Sequence, residues 1–266
     1  MEHVVLYIIK IGGNVIDHPD HLLAFLNRFA AIPDPKILVH GGGKVATRIG
    51  EQLGIVSQYI EGRRITDDAT LDLVTMVYGG LVNKKLVASL QAVGCNAIGL
   101  TGADANIIPA VKRPVKEVDY GWAGDINIQN IHVTSLQVLL QAGIVPVMAP
   151  LTHDGKGHML NTNADTIAAS LAVALSQSYA VQLMYCFEKK GVLADLEDPE
   201  SVIPVIHPQN FPELKKEGKL HSGIIPKIEN ALEAVSKGVQ KVWIGDAADI
   251  LKTIKQKGYG TYLQQI

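Results

Sequence analysis

The sequence is poor in cysteine, in net charge and in long apolar runs. Two cysteines, Cys95 and Cys186, stand among 266 residues, too few for a disulfide framework and not spaced as a CxxC pair. Both lie in apolar stretches, which predicts free, buried thiols in a reducing compartment. No segment reaches the roughly 20 consecutive apolar residues that span a bilayer. The first apolar run, Val4–Ile9, stops at Lys10, and Glu2 stands where a signal peptide carries basic charge. A cytoplasmic chain with no membrane partner is expected. The 26 acidic and 24 basic residues leave a formal charge of −2. That balance excludes the sustained positive field of a general nucleic-acid binder, so no nucleic-acid partner is expected. Any anionic ligand must be held by a few placed cations and backbone amides.

Several motifs are also missing. There is no GxSxG elbow and no GxxxxGK[ST] loop, which removes the α/β-hydrolase and P-loop chemistries. Nine histidines are scattered without a metal-ligand spacing, so no protein-held metal is expected. No repeat, low-complexity tract or long linker occurs, and 47% hydrophobic with 19% charged residues excludes a disordered chain.

Apolar runs readable as buried strands alternate with segments of helical period. The strands are predicted at Val4–Ile9, Lys36–Val39, Asn96–Leu100, Val145–Ala149, Ala180–Tyr185 and Gln240–Ile244. Helices are predicted at Asp20–Ala31, Lys44–Leu53, Asp67–Val93, Ser135–Ala142, Ala164–Gln177 and Ile225–Lys237. Strands apolar on both parities imply a sheet covered on both faces, hence an α/β fold with a mostly parallel sheet. Two stretches, Ile107–Ile131 and Thr152–Leu160, break the rhythm with turn residues and read as hairpins; Asp154-Gly155 is the turn of the second. A soft boundary near Gln177–Ser178 suggests two lobes, 1–177 and 178–266, sharing one sheet, the alternative being a plain two-domain protein.

Five motifs could carry chemistry. Lys10-Ile11-Gly12-Gly13-Asn14 follows the first strand, with a lysine at the carboxyl end of a strand and glycines that let backbone N–H groups approach a ligand. A plain turn with a solvated lysine would look the same. His40-Gly41-Gly42-Gly43-Lys44 enters a helix, and three glycines there form an anion cradle. Gly41-x-Gly43-x-x-Ala46 also matches a dinucleotide fingerprint, with Glu61 near the spacing of a ribose-binding acid. Gly62-Arg63-Arg64-Ile65-Thr66-Asp67 offers adjacent guanidinium groups for a carboxylate before a helix capped by Thr66 or Asp67. Asn161-Thr162-Asn163-Ala164-Asp165 enters an Ala-rich helix. A helix has one N-cap, so at least one of these polar side chains is free to face a ligand. Lys219-Leu220-His221-Ser222-Gly223-Ile224-Ile225-Pro226-Lys227 places a lysine in the first turn of a helix, which is electrostatically unfavourable without an anion.

In this order and spacing, with Gly99-Leu100-Thr101-Gly102-Ala103-Asp104 between them, the motifs resemble those of the amino acid kinase family over nearly the whole chain. The resemblance implies a three-layer α/β/α sandwich of two lobes, usually dimeric. The N-terminal lobe would hold an acylated amino acid and the C-terminal lobe ATP, with Mg²⁺ held mainly by the phosphates. It implies transfer of phosphate from ATP to the side-chain carboxylate of an N-acyl-L-glutamate, acetyl or succinyl, giving an acyl phosphate on the route to arginine. Lys10 and Lys227 would flank the transferred group, with Asp165 organising both, and Gly12 and Gly13 giving phosphate-binding amides. Gly42, Gly43, Arg64 and Asn161 would bind the substrate. Glu188, Gly191, Ser222 and Gly223 would contact the nucleotide.

The chain departs from the family in three places. Phe187-Glu188-Lys189-Lys190 precedes Gly191-Val192 where Thr-Asp-Val is common, and Ser222-Gly223 replaces Gly-Gly. Arg63 replaces a leucine beside Arg64 and could meet a second carboxylate, as in a succinyl group. Arginine-inhibited members carry an additional N-terminal helix that links dimers into a hexamer; the sequence as it starts suggests a homodimer insensitive to arginine. The alternatives are another member of the family, acting on carbamate, uridylate or glutamate, a dinucleotide-dependent oxidoreductase, or a catalytically dead nucleotide-binding module. Paired lysines are unnecessary for hydride transfer, which weighs against the oxidoreductase.

Overall fold

A computed structural model describes residues 3–221, 223–256 and 258–265. The fold is α/β, and its main sheet has eight strands, mostly parallel. The chain divides into two compact units, one made of two separate stretches, 1–36 and 168–266, and one continuous, 37–167.

In the first unit the strands run in the order Val205–Ile206, Thr261–Leu263, Lys241–Asp246, Ala180–Phe187, Val5–Ile11. Val5–Ile11 pairs parallel to Ala180–Phe187, with Lys10 opposite Tyr185 and Ile11 opposite Cys186. Ala180–Phe187 pairs parallel to Lys241–Asp246, whose other neighbour, Thr261–Leu263, is antiparallel. Consecutive residues of the first strand, Ile8 and Ile9, are both fully buried, as a strand covered on both faces requires. This is why it reads in the sequence as an unbroken apolar run. The helices Pro19–Ala30 and Ile225–Ser236 turn Phe25, Leu26 and Phe29, and Ile228, Ala231 and Val235, inward.

In the second unit, Val145–Met148 pairs parallel to both Lys36–His40 and Ala97–Leu100. Both expected hairpins are present: Ala110–Lys112 pairs with Gly124–Ile126, and Leu151–His153 with Met159–Asn161 around Asp154-Gly155. A third hairpin, unforeseen, joins Tyr59–Ile60 to Arg63–Arg64. Its two turn residues, Glu61 and Gly62, have φ of 49° and 74°, the double positive φ of a type I′ turn. Glu61 therefore sits at an exposed tip and not at a strand end, which removes the ribose-binding acid of the dinucleotide reading.

The long helix expected over Asp67–Val93 differs in its middle. It is helical at Asp68–Val74 and Asn83–Ala92, but Thr75–Val82 is wound as a π-helix. Gly79-Gly80 at its centre weakens the tighter turn. The expected cysteines are free and buried, and no helix among the described residues is long and apolar enough to cross a membrane.

Candidate functional site

The first unit gathers Lys10, Gly12 and Lys227. Lys10 stands one residue before the end of the first strand and is 8% exposed. Strand periodicity puts it on the same sheet face as its register partner Tyr185, and hence as Phe187. Its Nζ lies 5.6 Å from the centroid of the Phe187 ring. Lys227, the third residue of helix Ile225–Ser236, brings its Nζ to 4.0 Å from the same centroid. A Cβ added to Gly12 would meet Lys10 Nζ at 3.8 Å, so the glycine backbone runs alongside this ammonium. Gly13 opens the single-turn helix Gly13–Ile16.

The nucleotide-side residues are less closely grouped. Glu188 is exposed directly after its strand. Gly191 is buried, and a Cβ there would meet Thr261 Oγ1 and Val202 Cγ1 at 2.8 Å, so close packing within the unit requires this glycine. Gly223 is exposed and donates its N–H to His221 Nδ1 at 3.0 Å. Ser222 lies outside the described residues.

The second unit holds the carboxylate-binding candidates. Arg64 is 7% exposed. Its NH2 donates to the Gly43 carbonyl at 2.9 Å and to Thr47 Oγ1 at 3.0 Å, and its NH1 to Ser57 Oγ. Thr47 donates to the Gly43 carbonyl at 3.0 Å, so the Tyr59 hydroxyl, 2.9 Å away, must be the donor to Thr47. The guanidinium lies 4.8 Å from the Tyr59 ring centroid. Burial pushes the Tyr78 phenol up, and the charge of Arg64 opposes that shift. Three of the five guanidinium donors are thus used to lock its orientation. A rigid fork of this kind is suited to a carboxylate.

Arg64 and the glycine loop are joined by the same bonds. Gly43 opens helix Gly43–Gln52 and Gly42 is its N-cap. A Cβ on Gly42 would meet Tyr78 Cδ1 at 2.9 Å, so the π-helix packs the tyrosine closely against this backbone. Beneath the loop, His40 is fully buried. Its Nδ1 lies 2.6 Å from the Gly41 carbonyl and its Nε2 3.1 Å from Asn83 Nδ2, which also donates to the Val147 carbonyl at 2.9 Å. These contacts require a neutral ring with the proton on Nδ1. Burial holds the imidazole pKa down at about 4, against a smaller upward pull from the Gly41 carbonyl.

Asn161 ends strand Met159–Asn161 and donates through Nδ2 to Thr66 Oγ1 at 3.0 Å. Thr66 in turn donates to the Arg64 carbonyl at 3.3 Å. Asp67 caps the following helix, accepting from Thr70 N at 2.8 Å. Of the polar residues at 161–165, Asn163 is the cap: its Oδ1 accepts from the N–H groups of Asp165 at 2.7 Å and Thr166 at 3.2 Å. That leaves the Asn161 and Asp165 side chains outside the capping role. Arg63, its neighbour's opposite in strand parity, is exposed and makes no side-chain hydrogen bond or ion pair among the described residues. No group of three or more His, Cys, Asp or Glu among those residues could hold a metal ion.

Sequence reasoning passed over Tyr78, Thr47, Ser57 and Tyr59 around Arg64. Gly79-Gly80 inside a long helical stretch was a usable signal for Tyr78, because such pairs mark irregular turns; the others carry none.

The amino acid kinase family profile matches residues 6–246, and the chain belongs to that family. It is 56% identical over 260 residues to the acetylglutamate kinase of Cytophaga hutchinsonii, covering 97% of this chain and 98% of that one. The acetylglutamate kinase of Bacteroides thetaiotaomicron is 57% identical over 245 residues, covering 92% and 95%. Among solved structures, smu.665 of Streptococcus mutans UA159 is 28% identical with a TM-score of 0.76, over 97% of this chain and 98% of that one. Carbamate kinase of Giardia lamblia, bound to AMP-PNP, shares the fold at 12% identity, with a TM-score of 0.73 over 99% of each chain.

Proposed function

We propose that this chain phosphorylates the side-chain carboxylate of N-acetyl-L-glutamate with ATP, in arginine biosynthesis, acting in the cytoplasm. The observation that carries the reading is near-full-length identity above 55% to acetylglutamate kinases. The buried, three-point-held Arg64 supports it, since it offers its remaining donors to a carboxylate.

A glutamate side chain has a pKa near 4.3, so the attacking carboxylate is already ionised at neutral pH. No general base is needed, and Asp165 is not cast as one; it is the third catalytic residue, beside the two lysines. The carboxylate oxygen forms a bond to the γ-phosphorus as the bond to the ADP oxygen breaks, giving an acyl phosphate and ADP. Positioning and neutralisation of charge on the phosphoryl oxygens carry the catalysis. Lys10, Lys227 and the Gly12 and Gly13 amides supply the positive groups, and Mg²⁺ arrives with ATP on its phosphates. Gly42, Gly43, Arg64 and Asn161 hold the acylglutamate; Glu188, Gly191, Ser222 and Gly223 are assigned to the nucleotide. The working form is a homodimer, supported by large apolar side chains left exposed at Met76, Leu81 and Ile98.

The test is incubation with MgATP and N-acetylglutamate, trapping the acyl phosphate with hydroxylamine. Hydroxamate forms with the wild-type chain, and Lys10→Ala and Lys227→Ala each lose at least about 100-fold in turnover. Absence of hydroxamate overturns the reading. N-succinylglutamate is the second arm: Arg63 faces away from Arg64, so acetyl is the expected preference, and a clear succinyl preference would restore a role for Arg63. Light scattering checks the dimer.

A further inference from the structure

We propose that Tyr78 and Asn83 are positioning residues of the acylglutamate site, which hold the glycine loop His40–Gly43 from two points and so set where its backbone meets the substrate. The inference rests on the reading of Gly42 and Gly43 as substrate-binding groups.

Three observations carry it. The two side chains act on neighbouring points of one loop. The Tyr78 ring closes on Gly42, where a Cβ would meet Cδ1 at 2.9 Å and Cε1 at 3.2 Å. Asn83 acts two residues earlier: its Nδ2 lies 3.1 Å from His40 Nε2, and His40 Nδ1 donates to the Gly41 carbonyl at 2.6 Å. The next carbonyl, that of Gly43, accepts from Arg64 at 2.9 Å. A shift of the loop would therefore carry the guanidinium with it. Tyr78 and Asn83 are both buried, so water competes little for these contacts.

The second observation is the winding. Tyr78 and Asn83 are five residues apart. In an α-helix that spacing turns two side chains about 140° away from each other, and both could not meet one loop. Thr75–Val82 is wound as a π-helix, whose hydrogen bonds join residues five apart and so bring position 83 close to the side of position 78.

The third is that Asn83 is kept at a cost. Its second amide hydrogen goes to the Val147 carbonyl at 2.9 Å, but its Oδ1 is buried and accepts no hydrogen bond among the described residues. A Cβ on Gly99 would lie 1.8 Å from that oxygen, so only glycine fits beside it. An acceptor buried without a donor is destabilising. An apolar side chain would avoid that loss but could not donate to a neutral imidazole. With its shape fixed from beneath, the loop has little left to order when substrate arrives.

The test measures kcat and KM in the hydroxamate assay for the full-length wild-type chain, Tyr78→Leu, Tyr78→Phe, Asn83→Ala and the double variant Tyr78→Leu/Asn83→Ala. Loss of folded protein lowers apparent kcat and leaves KM where it was, so KM separates a positioning role from plain stability. Expected is a rise in KM for N-acetylglutamate of about tenfold in Tyr78→Leu and in Asn83→Ala, with KM for ATP within about twofold. Tyr78→Phe keeps the ring against Gly42 and should stay within about threefold of wild type. The double variant should rise by clearly less than the product of the two single effects, because both residues hold the same loop. An unchanged acylglutamate KM in the single variants overturns the proposal, as does an equal rise for ATP. A multiplicative double variant, or Tyr78→Phe as impaired as Tyr78→Leu, also counts against it. Should Asn83→Ala fail to fold, Tyr78→Leu decides alone. Hydroxamate-negative wild-type protein overturns the functional reading instead, and is seen before any variant is compared.

Discussion

Acidification should unload the glycine loop from below, through His40. The ring is fully buried, neutral, and fixed as the Nδ1–H tautomer by the Gly41 carbonyl and the Asn83 amide. Protonation would set an Nε2–H against the Asn83 NH₂ group, two donors facing each other at 3.1 Å. Its pKa is about 4 in the folded chain, against about 6.5 in an unfolded one. The unfolded chain therefore takes up this proton first as pH falls. The stabilisation is complete above pH 6.5 and is lost progressively down to pH 4. At about 1.4 kcal/mol per unit, the loss is about 3 kcal/mol, a large share of a typical folding free energy of roughly 5–15 kcal/mol. The assay is urea denaturation at intervals from pH 7 to pH 4, for wild type and His40→Gln. The comparison is of slopes against pH, because the substitution also shifts absolute stability. Wild type should lose about 3 kcal/mol more than the variant over this range. Equal slopes would refute the buried neutral ring.

Two further outcomes follow from geometry. Arg64→Lys exchanges a locked fork for a point charge, so KM for N-acetylglutamate should rise about 10- to 100-fold, with KM for ATP little changed; an unaltered acylglutamate KM contradicts the assignment of Arg64. Gly121→Ala should destabilise the fold by at least about 2 kcal/mol, because φ there is +63° and a Cβ would lie 2.1 Å from the Thr66 carbonyl. Gly155→Ala, at φ +70° with open space around it, should cost only about 1 kcal/mol. Thermal melts of the two showing equal loss would mean that Thr66 yields freely.

The parallel strands were legible because burial on both faces writes itself as a run: Val4–Ile9 was read and Val5–Ile11 is found. The edge strands Val205–Ile206 and Thr261–Leu263 were not. They are two and three residues long, and pairing with distant chain, not local pattern, creates them. In the site, capping logic separated Asn163 from Asn161 and Asp165 in principle, though only geometry showed which one caps. The contact of Lys10 and Lys227 with Phe187 was invisible. Three residues separated by more than 30 positions at every step share no periodicity, so only the sheet register reveals that they meet.

The split composition of the first unit has a consequence for synthesis. Val5 pairs opposite Ala180, so the first strand emerges from the ribosome about 175 residues before its parallel neighbour. At the usual rate of about 5–20 residues per second, that is a wait of roughly 10–35 s. Through that interval a strand apolar but for Lys10 has an unsatisfied edge open to any nascent chain nearby. Val145–Met148 and both of its neighbours lie within the intervening stretch, so the second unit can complete those pairings first. Lys10, one residue before the end of the first strand, is thus among the earliest residues made and among the last to reach its place.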